Sequence, residues 1–240
     1  MKDIQSQEDH RRINIKKVGV KTISYPVTVL DKAKSRQQTI ATVNMYVNLP
    51  HHFKGTHMSR FVEILNQFHG AIDLRNFQTI LEEMKERLQA EASHMEIEFP
   101  FFLDNGRTRE SLHVHRYRCM MCGSLDEEPD LEFRINVPIY LPVSRQQVAA
   151  LPRSTGRWGQ ASISVRFTVF MWIEDLILAI ENRITREIER VAENDVTELS
   201  VEVVTRNIGE CLSEMEEVRS YSVRVENLCD AYSTFAMMAS

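Results

Sequence analysis

Met45, Val47 and Leu49 alternate with Asn44, Tyr46 and Asn48, a period of two that predicts a strand with one buried face. Pro50 stops that strand, Gly55 permits a bend, and Phe61, Ile64, Leu65 and Phe68 then recur at i, i+3, i+4 and i+7. The helix they define begins between Thr56 and Arg60, with Thr56 or Ser59 as its N-cap. The same reading extends along the chain. A polar arm over residues 1–20 leads into strands over 21–30 and 38–49, and Pro26 places the first of these near an edge. Helices follow over 59–69, ended by Gly70, and over 74–91, where Phe77, Ile80, Leu81, Met84 and Leu88 form one stripe. Strands over 94–102 and 111–121 complete a ββααββ order.

The second half repeats that order. Strands over 131–141 and 161–170 are separated by a loop carrying Pro142, Pro152, Gly156 and Gly159. Ile173, Leu176, Ile177, Ile180, Ile184 and Ile188 mark one helix, Val204, Ile208, Cys211, Leu212 and Met215 a second, and strands near 219–227 and 231–238 close the chain. The expected fold is α+β and bimodular: an arm over 1–20, a first module over 21–125 and a second over 126–240, each an antiparallel sheet covered by a helix pair. Strands such as SVRFTVF keep polar groups on their second face, which is expected to line a ring or tunnel in an oligomer.

Composition narrows the partners. With 29 Lys and Arg against 34 Asp and Glu, the net charge of -5 leaves no electrostatic footprint for a nucleic acid. The N-terminal segment lacks the apolar core of a signal peptide, and no stretch approaches the roughly 18 apolar residues of a membrane span, so the expected location is cytoplasmic. Small anions remain open as ligands. Lys54, His57 and Arg60 crowd the start of the first helix, where unpaired backbone N–H groups attract phosphate; the other reading is a surface turn with solvated charges. Cys119 and Cys122 form a CMMC without the second pair a zinc ribbon needs, and Cys211 reads as a small buried side chain.

Five segments together go further: DIQSQEDHR and KKVGVKTISYPVTVLDK near the start, ATVNMYVNLPHHFKGTHMSRF in the first module, HMEIEFPFF on its third strand, and WIEDLI opening the second helix pair. In these words and in its element order the chain resembles the type IB GTP cyclohydrolases, members of the tunnelling-fold group. The resemblance implies a homo-oligomer that opens the imidazole ring of GTP with water, releases C8 as formate and forms dihydroneopterin triphosphate for folate biosynthesis. It also implies a divalent metal that generates hydroxide.

The metal-ligand pattern of that family is where the chain departs. Its Cys-Pro-Cys-Ser run corresponds to Leu141, Pro142, Val143 and Ser144, and its His-Asn-Gln to Trp158, Gly159 and Gln160. The C-terminal Glu-Asn persists as Glu226 and Asn227, but the positions of the following histidines carry Tyr232 and Thr234. Glu193 is the one ligand-type acid retained. Cys229 and Asp230 with Glu193, or His113 with His115 at i, i+2 of a strand, offer ligand types that would rebuild a metal site. The family holds a purine or pterin edge with a carboxylate on the second helix pair, and Glu210 is the candidate for it; the competing reading is the polar face of a helix. Two functions follow as expectations. One is a family member that binds GTP, a purine or a pterin, with ring opening doubtful or redirected. The other is a non-catalytic binding or regulatory subunit that co-assembles with an active paralogue.

Overall fold

A computed structural model describes residues 17–50, 57–68, 71–72, 74–103, 115–141, 157–193, 199–228 and 231–240. The elements are β1 (Val18–Asp31), β2 (Ser35–Asn48), α1 (Met58–Gln67), β3 (Ala71–Ile72), α2 (Leu74–Arg87), β4 (Ala92–Leu103), β5 (His115–Leu125), β6 (Pro129–Tyr140), β7 (Arg157–Phe167), α3 (Ile173–Glu193), α4 (Val201–Ser213), β8 (Val218–Leu228) and β9 (Ser233–Ala239). They fall into two compact units. The first comprises residues 1–102 and 118–133, the second residues 103–117 and 134–240.

In the first unit the strand order is β3-β1-β2-β4-β5, with β2 antiparallel to both β1 and β4. Alternation decides its faces. Met45, Val47, Met95, Ile97 and Phe99 are buried on the helix side, while Asn44, Tyr46, His94 and Glu96 take the other. Phe61, Ile64 and Leu65 of α1, and Phe77, Ile80, Leu81 and Met84 of α2, complete this core; burying each such side chain stabilises the fold by roughly 1.5–3 kcal/mol. Gly123 of β5 lets α2 approach closely, because a Cβ there would lie 2.2 Å from Phe77 Cε1.

The second unit has strand order β6-β7-β8-β9, with β7, β8 and β9 antiparallel in sequence. Helix α4 lies on β8 and β9. Gly209 sits where a Cβ would meet Met238 Sδ at 2.3 Å, and Thr205 Oγ1 donates to the Ala236 carbonyl at 3.5 Å. Ser200 caps α4, its hydroxyl accepting from Val203 N–H.

Three local expectations need correction. A two-residue strand, β3, separates α1 from α2 and pairs parallel with Thr28 and Val29, so the first unit is not a plain ββααββ. Its brevity gives no alternation to read. The N-cap of α1 is His57, without a side-chain cap hydrogen bond, and Ser59 lies inside the helix; Thr56 is outside the described residues. Helix α2 ends at Arg87 rather than near 91, because Gln89 turns into the left-handed region at φ 51°. No described helix is long and apolar enough to cross a membrane.

Candidate functional site

The alternation of β2 and the capless start of α1 build the first candidate region. His57 is half-buried in an extended conformation, and Arg60 is exposed one turn on, where its Nη1 donates to the Arg87 carbonyl at 3.4 Å. Arg60 thus ties the start of α1 to the end of α2. Lys54, the third member of the basic rim, lies outside the described residues.

The sheet face turned away from these helices carries a polar network that the sequence reading did not single out. Asn44 Nδ2 donates to Glu96 Oε2 at 2.9 Å, and the Tyr46 hydroxyl donates to Glu96 Oε1 at 3.4 Å. Arg118 Nε pairs with Glu98 Oε1 at 2.6 Å. Tyr46 stands opposite His94, with ring centroids 4.9 Å apart and planes 19° apart, and Lys17 Nζ lies 4.6 Å from the Tyr46 ring centroid. Burial, reinforced by the Lys17 charge, pushes the His94 imidazole below its ordinary range, against the smaller opposing pull of Asp126 and Glu96. The His94, Glu96 and Glu98 alternation in SHMEIEFP was the signal available for this face.

In the second unit, Glu210 is exposed on α4. It therefore sits on the helix's polar side, without the desolvated surroundings that make a bidentate carboxylate selective. Two acids of α3, Glu174 and Glu187, are buried instead at 5% exposure each. Glu187 accepts from Arg190 and, at 3.1 Å, from Asn207 Nδ2 of α4; the Arg190 hydrogen bonds hold its carboxyl below the usual range. Glu187 follows Ile180 and Ile184 on the apolar stripe, which is how the sequence marks it. Tyr117 donates to Glu181 of the same helix.

The positions that the resemblance matches to family metal ligands do not converge among the described residues. Register places Gly159, Asn227 and Thr234 side by side across β7, β8 and β9, so Trp158, one residue on, faces the opposite side from Thr234. Asn227 Nδ2 donates to the Trp158 carbonyl at 2.9 Å. Gln160 stands opposite Glu226, whose Oε1 accepts from Ser233 Oγ at 2.8 Å. Leu141 follows β6 at 38% exposure and Tyr232 precedes β9 at 69%. Cys229, Asp230 and His113 lie outside the described residues, as does the side chain of Glu193 at the end of α3. His115 stacks on Tyr117 at 6.4 Å. Cys119 is buried and Cys122 half-buried; three apart on a strand they point to opposite faces, so the CMMC is not a chelating pair. Among the described residues no three His, Cys, Asp or Glu side chains group to hold a metal ion. A leucine and an indole supply no metal lone pair, so the described donor set does not fit the family's divalent metal.

Comparison with known proteins settles the lineage. Residues 1–229 match the model of the family described as type I GTP cyclohydrolase folE2. The GTP cyclohydrolase FolE2 of Syntrophus aciditrophicus (strain SB) is 42% identical over 239 residues, covering 95% of this chain and 94% of the relative. That of Geobacter metallireducens is 40% identical, covering 95% and 91%. Among solved structures, the uricase from Arthrobacter globiformis superposes with a TM-score of 0.58 at 7% identity, covering 99% of this chain and 95% of the other. Urate oxidase from Bacillus subtilis 168 gives 0.54 at 8%, covering 93% and 98%. The likeness to these structures shows a shared α+β fold of the tunnelling type. The chain belongs to the type I GTP cyclohydrolase FolE2 family.

Proposed function

We propose, from that membership, that the chain binds GTP, or a purine or pterin of the same chemical class, as a homo-oligomer, and, from its residues at the ligand positions, that the family's metal-dependent ring opening is lost or redirected. The observation that carries this reading is the contrast between near-complete family coverage and the residues at the ligand positions, Leu141, Trp158, Tyr232 and Thr234. In it, Lys54, His57 and Arg60 at the start of α1 receive the phosphates. Glu210 accepts from the N–H edge of the purine, once an oligomer neighbour removes it from water. The same reading accommodates a regulatory subunit that co-assembles with an active paralogue.

Calorimetry with GTP and neopterin on the purified chain tests the binding. Micromolar GTP binding with no formate release is the expected result, and no binding to either compound overturns it. Replacing His57 and Arg60 together should abolish GTP binding and leave the assembly intact; loss of assembly with binding unchanged would make the rim structural. A second reading, true GTP cyclohydrolase activity, is favoured by the 42% identity to a relative of that name over 95% of the chain. Elemental analysis together with a formate assay separates the two. Stoichiometric metal with GTP-dependent formate would establish the second reading and show a ligand set built from residues such as Glu193, Cys229 and Asp230.

A further inference from the structure

Two buried polar atoms on the first unit's outer sheet face, His94 Nε2 and Asn48 Oδ1, have no hydrogen-bond partner among the described residues. They belong together. Tyr46 is directly opposite His94 across β2 and β4, and Asn48 lies two residues along the same strand on the same face, so Asn48 and His94 are diagonal neighbours roughly 7–8 Å apart at the backbone. The backbone of Asn48 is fixed, its carbonyl accepting from Glu91 N–H at 2.9 Å. The His94 ring is fixed too, by its stack on Tyr46. The stacked imidazole and the Asn48 amide thus each carry a buried hydrogen-bonding atom without a partner among the described residues, a cost of about 1–3 kcal/mol per group that native proteins rarely leave standing.

The chemistry of the pair specifies what would satisfy it. Asn48 Oδ1 only accepts, so the ligand must donate there. Burial and the Lys17 charge push the His94 imidazole below its ordinary range, and in the neutral ring Nε2 donates in one tautomer and accepts in the other. A hydroxyl suits both atoms, because it donates and accepts at once. Adjacent hydroxyls would span two diagonal neighbours better than one. We propose that Asn48 and His94 form a subsite for the vicinal ribose hydroxyls of the bound nucleotide, with the Tyr46 ring holding His94 in place. The subsite rests on the reading of the chain as a GTP-class binding protein and adds to it the part of the ligand that β2 and β4 recognise. Asn48 is the last residue of β2, the strand that precedes α1 in the chain, and His94 stands on β4 beside it.

The ligand itself can be altered, which keeps the test independent of folding. Calorimetry compares GTP with 2′,3′-dideoxy-GTP on the wild-type chain and on the double variant Asn48→Leu, His94→Phe, the phenylalanine preserving the stack on Tyr46. The wild type should bind the dideoxy compound about ten- to a hundredfold more weakly than GTP, and the double variant should bind the two compounds equally. Equal wild-type affinity for both compounds overturns the subsite while leaving GTP binding standing. So does a double variant that melts at a higher temperature and keeps the wild-type preference, the signature of polar atoms satisfied by water alone. Absence of any GTP binding by the wild type removes the underlying reading, and this inference with it.

Discussion

The two units place their polar groups in different layers. The first sets them on the outer face of its sheet, where Asn44, Tyr46 and Glu96 bond to one another and Arg118 pairs with Glu98. The second buries one inside its helix pair, where Glu187 is held by Arg190 of its own helix and Asn207 of the next. Sheet faces tolerate polarity because alternation separates it from the core at every second residue. A helix stripe has no such separation, and Glu187 is buried on it beside its own cation and amide. A scaffold that satisfies polar groups locally keeps its shape while other positions vary, and this chain is 42% identical to a FolE2 relative over 95% of its length.

The largest effects should come from the two cores. Phe77→Ala in α2 removes a fully buried ring that packs against Gly123 and should cost about 3–5 kcal/mol; Ile208→Ala in α4 should cost about 2–5 kcal/mol. Urea unfolding followed by tryptophan fluorescence, which reports on Trp158 and Trp172 of the second unit, sharpens the comparison. If the units fold as one, both variants shift that fluorescence transition. If they fold separately, only Ile208→Ala does.

Acid should strip the units in different windows. In the first, burial holds the folded pKa of His94 below the ordinary histidine value of 6.5, so the folded state binds fewer protons and loses stability as pH falls through 6.5 towards the folded value. In the second, Glu187 has a folded pKa below 4.5, so its contribution is complete above 4.5 and disappears as pH falls through the folded value. Thermal melts from pH 8 to 3 should therefore show two declines. His94→Phe should flatten the upper one and Glu187→Gln the lower; a variant that flattens the other's window would refute the assignment.

Much of this was legible in the chain because it is periodic. Alternation over 44–49 and the stripe from Phe77 to Leu88 gave β2 and α2 to within a few residues. Gly209 and the buried stripe of α4 follow the same period. What escaped was local or relational. Strand β3 has two residues and no pattern, and the α2 stop depends on the φ of Gln89 rather than on a glycine. The diagonal placement of Asn48 beside His94 needs a register that joins positions 46 residues apart, which no local period encodes. Similarly, the resemblance sets Trp158 and Thr234 together, yet only the β7-β8-β9 register shows that they face opposite ways.

Capping offers a smaller test of the contrast. Helix α4 begins with Ser200 accepting from Val203 N–H, whereas α1 begins with His57 and no side-chain cap. Ser200→Ala should cost about 1 kcal/mol, and His57→Ser should gain part of that amount by supplying the missing acceptor. Tm shifts of a few degrees in opposite directions would establish it. A stabilising serine that also weakens GTP binding would further show that the capless start is kept for a ligand.

The smallest effect belongs to the Arg118–Glu98 pair, with Arg118 at 66% side-chain exposure and Glu98 at 28%. A solvent-facing ion pair gains little over hydration and is screened by salt, so Arg118→Ala should cost about 0.2–1 kcal/mol in the monomer and less at 1 M salt. That expectation holds only while the outer face meets water. If the polar face lines a tunnel closed by neighbouring copies, the pair is desolvated and breaking it leaves Glu98 buried without its cation, a far larger penalty. A double-mutant cycle on Arg118 and Glu98, measured by melts at low and high protein concentration, distinguishes these cases. A coupling energy that stays small at every concentration would mean that this face remains open to water, and the sheet of the first unit would then be a surface rather than a lining.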